Sequence, residues 1–454
     1  MKIHVAFFAI MFSLFLTSCV LDQYANNGKR QSQSGTYELY DSVDINILDL
    51  NGENIEFGDF FSDTTLVWSG NRGESNGNNF GDFKVSLPVS INVTNSRDDT
   101  LNIEDIFGDN KFTWQNSGFP GNKPGTIGGE FKVDMPVLIR VSNSKRILVD
   151  LEDIFTDNFF TWTVSKNSKG NIPSQAQRSG LVGGSLKIVM SVKIEVFDSE
   201  DIEIDIEDVL CDNEFNWNGG EQHSASFVGG SMDIEVPLTF RIERSDRVKI
   251  NFEDSAGDMT LDWIAGSSDS IGGPLRFDVP TTFIVADSRD VNIDFEDQAG
   301  DNIFNWVLKN RKSPTPELKS SVTASTPAVF RVTDGSRRVK INSEDFFGDN
   351  LLVWKGPFSE DARSSLDGSI LVSAPTKFLI EESLQVSIDA EDVYGDNIFV
   401  WSPHHIEQAS SLPASVYEVV GEVQREVEGE SVIIEFANLN MGNQYLWGPE
   451  PEED

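Results

Sequence analysis

The sequence predicts an all-β protein built from tandem repeats of about 46 residues, with an open β-solenoid as the favoured architecture. Three observations lead to this prediction: tryptophan recurs at a nearly constant interval, apolar residues alternate with polar ones, and no stretch after residue 34 has a helical period. All nine tryptophans belong to one series, namely Trp68, Trp114, Trp162, Trp217, Trp263, Trp306, Trp354, Trp401 and Trp447. Successive members are 46, 48, 55, 46, 43, 48, 47 and 46 residues apart, and repeats of roughly 20 to 50 residues are typical of solenoids, propellers and other arrays.

The unit that begins at Met232 shows which strands a repeat contains. Its apolar residues alternate with polar ones in three runs, which are Met232–Ile242, Val248–Phe252 and Met259–Trp263. A period of two is typical of strands that bury one face. Each unit is therefore predicted to hold three or four strands and no helix.

Proline marks a fixed position in most units. It lies 26 residues before the tryptophan at Pro88, Pro136, Pro237, Pro280 and Pro375. Because proline cannot donate a ladder hydrogen bond, this position indicates a junction between strands or a sheet edge. Nearly all length variation falls between each tryptophan and the next such position, in loops rich in Gly, Ser and Asn. If the units stack in register, these loops emerge on one side, which in repeat proteins is often the binding face.

The two ends of the array bear on whether the units form an open stack or a ring. A β-propeller is the alternative architecture, and a row of small β-domains is the third. Propellers usually have about four to eight blades, whereas this chain has nine units. The first unit has Gly58 in place of the usual Glu. The last has Ala437, Asn438 and Gly442 in place of the Glu and both Asp. Open solenoids need atypical terminal units and closed rings do not, which favours the open stack.

Each unit also carries an acidic turn with the pattern Glu-Asp-x-x-Gly-Asp-Asn-x-Phe-x-Trp, which is clearest in Glu104–Trp114 and Glu344–Trp354. A first aspartate lies nine residues before eight of the nine tryptophans, at Asp59, Asp105, Asp153, Asp208, Asp254, Asp297, Asp345 and Asp392. A second lies five residues before them, at Asp63, Asp109, Asp157, Asp212, Asp258, Asp301, Asp349 and Asp396. An asparagine follows the second aspartate in six of these eight units.

Two interpretations of the acidic turns stay open. Turn chemistry explains them because Asp and Asn side chains accept nearby backbone N–H groups and tolerate positive φ. A Ca²⁺ site is the alternative, because two carboxylates, an asparagine amide and backbone carbonyls could supply the roughly six to eight oxygens that Ca²⁺ takes. In a solenoid, equivalent aspartates would lie about 4.8 Å apart and repel by roughly 3 kcal/mol per pair, so the predicted fold and a bound cation support each other. Cys211 occupies the Gly position of one turn, which a small-residue role explains.

The N-terminus predicts a leader peptide. Met1 and Lys2 precede an apolar run, Ile3–Leu16, which is too short to cross a bilayer and is typical of a signal peptide. Leu16-Thr17-Ser18-Cys19 resembles the lipobox of bacterial lipoproteins. That resemblance implies cleavage before Cys19 and its acylation with chains such as palmitate, two or three of which hold a protein firmly on a membrane. Val20 resembles the residue that directs such proteins to the outer membrane in enteric bacteria.

The predicted organisation therefore has four parts. Residues 1–18 are a lipoprotein signal peptide, and residues 19–34 are the lipidated N-terminus with a flexible polar tether. Residues 35–448 are the nine-unit β-repeat array, and residues 449–454 form an acidic tail.

Charge and motifs limit the possible functions. The formal net charge of −39 argues against nucleic acid as a partner and is compatible with divalent cations or basic partners. His223, His404 and His405 do not recur, and the chain has no nucleophile elbow, zinc signature or phosphate loop. Paired carboxylates can serve a glycosidase, but a catalytic pair is ordinarily a single site, whereas these pairs recur in eight units. The sequence thus predicts a protein that is not an enzyme.

The function expected from these features is that of a lipoprotein of the cell envelope, periplasmic or surface-exposed on the outer membrane. Its repeats would form a binding or adhesion module for a surface glycan or protein, with Ca²⁺ as a stabilising ion. A purely structural envelope stalk is the alternative, and a carboxylate-dependent glycosidase is the least favoured reading.

Overall fold

The computed structural model describes residues 33–70, 79–116, 126–164, 178–219, 224–265, 267–308, 317–344, 346–356, 365–390, 395–402, 416–420, 422–436 and 442–447. Every regular element within these ranges is a β-strand, which confirms the predicted all-β class. The first strands in chain order are β1 (Gln33–Tyr40), β2 (Val43–Leu48), β3 (Asn54–Phe57), β4 (Phe61–Ser62), β5 (Thr65–Gly70), β6 (Asn79–Ser86), β7 (Val89–Thr94), β8 (Arg97–Gly108), β9 (Lys111–Asn116), β10 (Thr126–Gly128), β11 (Glu130–Asp134), β12 (Val137–Ser142), β13 (Lys145–Thr156), β14 (Phe159–Val164), β15 (Arg178–Val182), β16 (Ser185–Val189), β17 (Val192–Phe197), β18 (Glu200–Asp208) and β19 (Glu214–Asn218). They continue with β20 (Ser224–Val228), β21 (Ser231–Glu235), β22 (Leu238–Glu243), β23 (Asp246–Asp254), β24 (Thr260–Ala265), β25 (Ser267–Ile271), β26 (Pro274–Asp278), β27 (Thr281–Ala286), β28 (Arg289–Asp297), β29 (Ile303–Leu308), β30 (Glu317–Ser325), β31 (Ala328–Thr333), β32 (Arg337–Ser343), β33 (Leu351–Lys355), β34 (Ser365–Ser373), β35 (Thr376–Ala390), β36 (Ile398–Ser402), β37 (Val416–Val420), β38 (Val423–Phe436) and β39 (Gln444–Trp447).

These strands form three sheets, which the chain visits in turn within each unit. Sheet A contains β1, β6, β10, β11, β15, β16, β20, β21, β25, β26, β30, β34 and β37. Sheet B contains β2, β3, β4, β7, β8, β12, β13, β17, β18, β22, β23, β27, β28, β31, β32, β35 and β38. Sheet C contains β5, β9, β14, β19, β24, β29, β33, β36 and β39.

Strand pairing links each unit to the next. Among the described residues every pairing is parallel and joins equivalent positions of successive units, so that Trp162 is in register with both Trp114 and Trp217. Parallel neighbours in register are the geometry of a β-helix-like fold, in which each turn of chain lies about 4.8 Å from the next. A propeller blade instead pairs consecutive strands antiparallel within one unit, so the propeller alternative finds no support in the described strands.

The core lies between the three sheets and follows from the alternation of apolar residues. Burial alternates along each inner strand, as in β12, where Val137, Ile139 and Val141 are buried and the residues between them reach solvent. The tryptophans form one continuous stack from Trp68 to Trp401, with ring centroids 4.6 to 5.2 Å apart and planes within 11° of parallel. Offset stacking of this kind adds to the stabilisation that comes from burying large aromatic side chains. The interval between tryptophans in the sequence is therefore the length of chain between successive levels of the stack.

Glycine pairs in sheet A make room for the tryptophan stack. A Cβ atom on Gly184 would lie 2.4 Å from Trp162 Nε1, and one on Gly230 would lie 2.1 Å from Trp217 Nε1. Any larger residue at these two positions would displace a buried indole. The prolines mark the adjacent corner as predicted, because Pro136 and Pro237 lie between the last sheet A strand and the first sheet B strand of their units.

Candidate functional site

The acidic turns connect sheet B to sheet C and lie at one corner of every described inner unit. We define them as residues 59–64, 105–110, 153–158, 208–213, 254–259 and 297–302. Strand register places their first aspartates directly over one another in the order Asp105, Asp153, Asp208, Asp254 and Asp297. Because parallel neighbours lie about 4.8 Å apart, the turns assemble a continuous column of carboxyl groups.

Three inner members of the column have strongly raised pKa values. Burial, then the charges of Asp105 and Asp208, raise the pKa of Asp153 to about 7. Burial followed by the neighbouring carboxylates also raises the pKa of Asp254 to about 7 and that of Asp208 to about 6. These three carboxyl groups are half-buried, and the largest charge contributions to their pKa values come from other carboxylates.

Two pairs of neighbouring first aspartates are close enough to share a proton, since a hydrogen bond between the two carboxyl groups contributes to the pKa values of Asp105 and Asp153, and one with Asp297 contributes to that of Asp254. Such a bond needs one of the two groups to carry a proton, since an ionised carboxylate only accepts. Below the raised pKa values a shared proton therefore reduces the like-charge repulsion within each pair, and above them the ionised carboxylates repel one another.

The second aspartates have a backbone role that turn chemistry explains. All eight, Asp63, Asp109, Asp157, Asp212, Asp258, Asp301, Asp349 and Asp396, have φ between 50° and 55°. Asp and Asn are the non-glycine residues that adopt this left-handed conformation most readily. Their side chains are exposed, so each described turn from 105–110 to 297–302 carries one exposed and one half-buried carboxylate, whereas in the turn 59–64 both carboxylates are exposed.

The asparagines that follow the second aspartates form a buried ladder. Asn110, Asn158 and Asn213 are completely buried. The side-chain Nδ2 of Asn110 donates to Asn158 Oδ1 at 3.0 Å, and that of Asn158 donates to Asn213 Oδ1 at 3.0 Å. The ladder satisfies buried amides from unit to unit, so these oxygens are already engaged, which fits the turn-chemistry interpretation better than a ligand role.

The Gly position of the turn faces the first aspartate. At Gly108 a Cβ atom would lie 3.4 Å from Asp105 Oδ2, and at Ser62 the hydroxyl donates to Asp59 Oδ2 at 3.1 Å. Cys211 occupies this position in its unit and is completely buried, and its Sγ and carboxylate oxygens of Asp208 and Asp254 all lie within 4.8 Å of one another. Burial, then the charges of the two aspartates, raise the pKa of the Cys211 thiol well above its ordinary value. The protonated thiol fits the predicted small-residue role.

A second set of charged turns, which sequence reasoning missed, lies between the two sheet B strands of each unit. We call these the mixed-charge corners and define them as residues 95–98, 143–146, 198–201, 244–247, 287–290 and 334–338. The last position of each corner has positive φ and alternates in charge along the stack, as Asp98, Arg146, Asp201, Arg247, Asp290 and Arg338. Each arginine bonds to the aspartate of the preceding unit, with Arg146 Nη2 2.7 Å from Asp98 Oδ2 and Arg338 Nη2 2.6 Å from Asp290 Oδ2.

A serine ladder runs beneath the mixed-charge corners. Ser144 Oγ accepts the backbone N–H of Ser96 at 3.1 Å and donates to the carbonyl of Ser142 at 2.8 Å. Ser199 and Ser245 repeat the arrangement in the next units. The signal was present in the sequence, because serine lies 18 residues before seven of the nine tryptophans, at Ser96, Ser144, Ser199, Ser245, Ser288, Ser336 and Ser383.

Some predicted positions lie outside the described residues. These are the lipidation residue Cys19 with the whole leader, residues 20–32 of the tether, the first aspartates Asp345 and Asp392, the side chain of Trp447, the acidic tail 449–454, His223, His404 and His405, and parts of the variable loops such as residues 165–177. Among the described residues, no helix has the length and apolar character that a membrane-spanning segment needs.

Comparisons with known proteins add no assignment. No protein-family model, no curated protein and no solved structure matches the chain. The site therefore has to be interpreted from its own geometry.

Proposed function

We propose that the chain is a lipid-anchored protein of the cell envelope whose units stack into an open β-solenoid that serves as a binding or adhesion module. The parallel, in-register pairing of successive units supports the solenoid, as do the atypical first and last units. The lipobox-like segment that ends at Cys19 supports the anchor, and Val20 favours the outer membrane.

The observation that carries the binding role is the acidic face beside the acidic turns. Four columns of outward or half-buried side chains run along this face. Three of the four are carboxylates in the inner unit whose columns start at residue 102, and all four are carboxylates in the units whose columns start at residues 150 and 205. For example, Asp150, Glu152, Asp153 and Asp157 come from a single unit. A surface of one sign attracts ligands of the opposite sign, so the face is suited to cations and to basic groups.

Ca²⁺ is the cation that this face fits best. Neighbouring first aspartates supply hard oxygen ligands at close spacing, and carboxylates and water oxygens are the donors that Ca²⁺ prefers. Bound Ca²⁺ would replace the shared protons of Asp105–Asp153 and Asp254–Asp297 when the pH exceeds their raised pKa values. Cation binding to the folded form alone would stabilise it by mass action.

A purely structural stalk is the second candidate. It is favoured by the tryptophan stack, which runs from Trp68 to Trp401, and by the asparagine ladder, which links equivalent turns on either side of Met259. The glycan or protein ligand that the sequence suggests for the variable loops stays a prediction, because several of these loops lie partly outside the described residues.

A thermal melt of the full chain tests the cation role. At pH 8 we expect Ca²⁺ at ten times its dissociation constant to raise the free energy of unfolding by about 1.4 kcal/mol. The unfolding midpoint should therefore lie above its value in EDTA. At pH 5, where protons already neutralise the column, the two midpoints should converge. An identical midpoint with Ca²⁺ and with EDTA at pH 8 would contradict the cation role.

Membrane fractionation tests the anchor. The wild-type chain should incorporate radiolabelled palmitate and sediment with outer membranes, whereas Cys19→Ala should lose the label. A Cys19→Ala chain that still carries the label would contradict lipidation at this residue.

A further inference from the structure

The last unit leaves one long strand edge uncovered. β38 pairs with β35 on one side, and among the described residues no strand pairs with its other side. The two ends of the stack differ in their inward-facing residues: Val43 in the first unit is 8% exposed, whereas Val423 and Val427 in the last are 37% and 44% exposed. The open end of the core is therefore the C-terminal one.

The backbone of β38 offers hydrogen-bonding groups at this edge. In the preceding units the residue that starts the first sheet B strand donates its N–H to the following unit, as Val137 does to Ser191 and Thr376 to Glu422. Val423 is the equivalent residue of the last unit. Since N–H groups of a parallel strand point alternately to its two neighbours, the N–H groups of Val423, Arg425 and Val427 point towards the place of a further strand.

The side chains of β38 form two rows of different chemistry. The row on the core side has five apolar residues, Val423, Val427, Val432, Ile434 and Phe436. Its sixth member is Arg425, whose guanidinium lies 5.8 Å from the centre of the Phe378 ring. The solvent side carries exposed glutamates at Glu426, Glu428, Glu430 and Glu435. Their partners in β35 are Leu379, Glu381, Leu384 and Asp389, so β35 opposes none of them with a cation.

Inner units show how this chain satisfies such glutamates. Glu195 in β17 is opposite Arg140 in β12, and the two are ion-paired. Glu203 is opposite Lys249, with Nζ 2.7 Å from Oε1. At these two positions a glutamate on the solvent side of a sheet B strand is matched by a basic residue on the neighbouring strand, whereas Glu207, next to the acidic turn, has other glutamates as its neighbours.

We propose that β38 binds an extended segment of a partner protein in which apolar residues alternate with lysine or arginine, added to sheet B as a further strand. Its backbone would take up the free N–H and carbonyl groups, its apolar side chains would cover the open core, and its basic side chains would pair with the glutamates. A second copy of this chain fits less well, because its own β38 would bring further glutamates to the contact. The inference deepens the proposed binding role but uses a surface separate from the acidic turns.

Peptide binding to the full chain in detergent micelles tests the proposal. The probe is a fluorescent, terminally blocked ten-residue peptide that alternates valine with lysine, and the matched peptide has glutamate for lysine. Anisotropy at low ionic strength should show saturable binding of the lysine peptide and at least tenfold weaker binding of the glutamate peptide. The double variant Glu426→Lys/Glu428→Lys should reverse that preference.

Two further variants separate strand addition from plain charge attraction. Val427→Pro keeps every charge but removes an edge N–H, so it should weaken lysine-peptide binding at least tenfold while leaving the melt unchanged. Glu38→Lys/Asp134→Lys makes the same change of charge at two exposed positions of sheet A, away from both β38 and the acidic turns, and should alter binding less than threefold.

Three outcomes would overturn the proposal. They are equal affinity for the two peptides, undiminished binding by Val427→Pro, and an equal loss in the sheet A control, which would mean that net charge alone attracts the peptide. A peptide-free dimer that Val427→Pro dissociates would instead make a second copy the occupant. Ca²⁺ stabilisation measured on the same variants should persist, so failure here would leave the role of the acidic turns standing.

Discussion

The acidic turns and the mixed-charge corners occupy two corners of the same repeating unit and treat charge in opposite ways. At the mixed-charge corners a residue of one sign is followed in the next unit by one of the other sign, as with Asp201 and Arg247. At the acidic turns the same carboxylate recurs at every level, as with Asp208 and Asp254. Stacking in register therefore neutralises charge at one corner and accumulates it at the other, which is why we place the ligand-binding role at the acidic one.

The two corners also respond to pH in opposite directions. The hydrogen-bonded arginine lowers the pKa of Asp98, Asp201 and Asp290, so their contribution to stability is present above the unfolded pKa and is lost as the pH falls through the folded value. Burial and like charges raise the pKa of Asp153 and Asp254, so their penalty is absent in acid and grows as the pH rises from about 4 to about 7. In the absence of a cation, the free energy of unfolding should be largest at a pH above the lowered pKa values of Asp98, Asp201 and Asp290 and below the raised pKa values of Asp153 and Asp254.

The largest difference between the corners should come from their buried ladders. Asn158→Ala removes the acceptor of the Asn110 N–H and Nδ2 groups, which lie at 3.2 and 3.0 Å, and leaves buried donors without a partner. We expect it to reduce the free energy of unfolding by about 2–4 kcal/mol. Urea unfolding midpoints and amide exchange at Asn110 would measure the loss.

The matched change at the other corner is Ser144→Ala, which removes the acceptor of a single buried N–H group, that of Ser96. We expect a smaller loss, of about 1–2 kcal/mol. A serine variant that loses as much stability as the asparagine variant would show that the two ladders are equivalent and would remove this contrast.

The sequence predicted the strands, the proline corner, the acidic turns and the period of the repeat, but not the mixed-charge corners or how each recurring polar residue is used. The alternation of apolar and polar residues and the spacing of the tryptophans suffice to predict the strands and the repeat. Burial with a period of two and one tryptophan per unit leave few other ways for the chain to pack. The asparagines look like ligands in sequence because a turn amide can bind either a cation or its own neighbours, and only the burial of Asn158 decides between them. The Asp–Arg alternation was missed because it appears only when equivalent positions of successive units are aligned, and Asp98 and Arg146 lie 48 residues apart.

An intermediate effect is expected from neutralising one carboxyl of the acidic column. Asp153→Asn keeps a side chain that can bond to Asp105 but cannot ionise, so it removes the penalty that burial and like charge impose on the wild type at high pH. Since the group is half-exposed, solvent screening reduces the gain to about 1 kcal/mol at pH 8 in EDTA, with a smaller gain at pH 5. Thermal melts at the two pH values measure it.

Asp109→Asn is the control for this variant. It changes the net charge equally in an exposed residue whose φ of 55° asparagine also tolerates. We expect its effect to be smaller and to vary little between pH 5 and pH 8. If Asp153→Asn were destabilising at pH 8, or if both variants gave the same gain, ionisation of the column would not impose the penalty that distinguishes it from the mixed-charge corners.

The smallest effect should come from the exposed ion pairs of the mixed-charge corners. A charge swap tests whether the alternation of their signs along the stack matters beyond the individual pairs. Arg247→Ala should lower the unfolding midpoint only slightly, and less at high salt, because the Asp201–Arg247 pair is exposed. The swap Asp201→Arg/Arg247→Asp restores that pair, but it places like charges next to Arg146 and Asp290 and, like Arg247→Ala, it removes the ion pairs of Arg247 with Glu200 and Asp246. If each pair acts alone, the swap should melt at least as high as Arg247→Ala. If the alternation as a whole fixes the register of neighbouring units, the swap should be less stable than Arg247→Ala at low salt and should recover as salt is added, since repulsion between neighbouring units then separates the two variants.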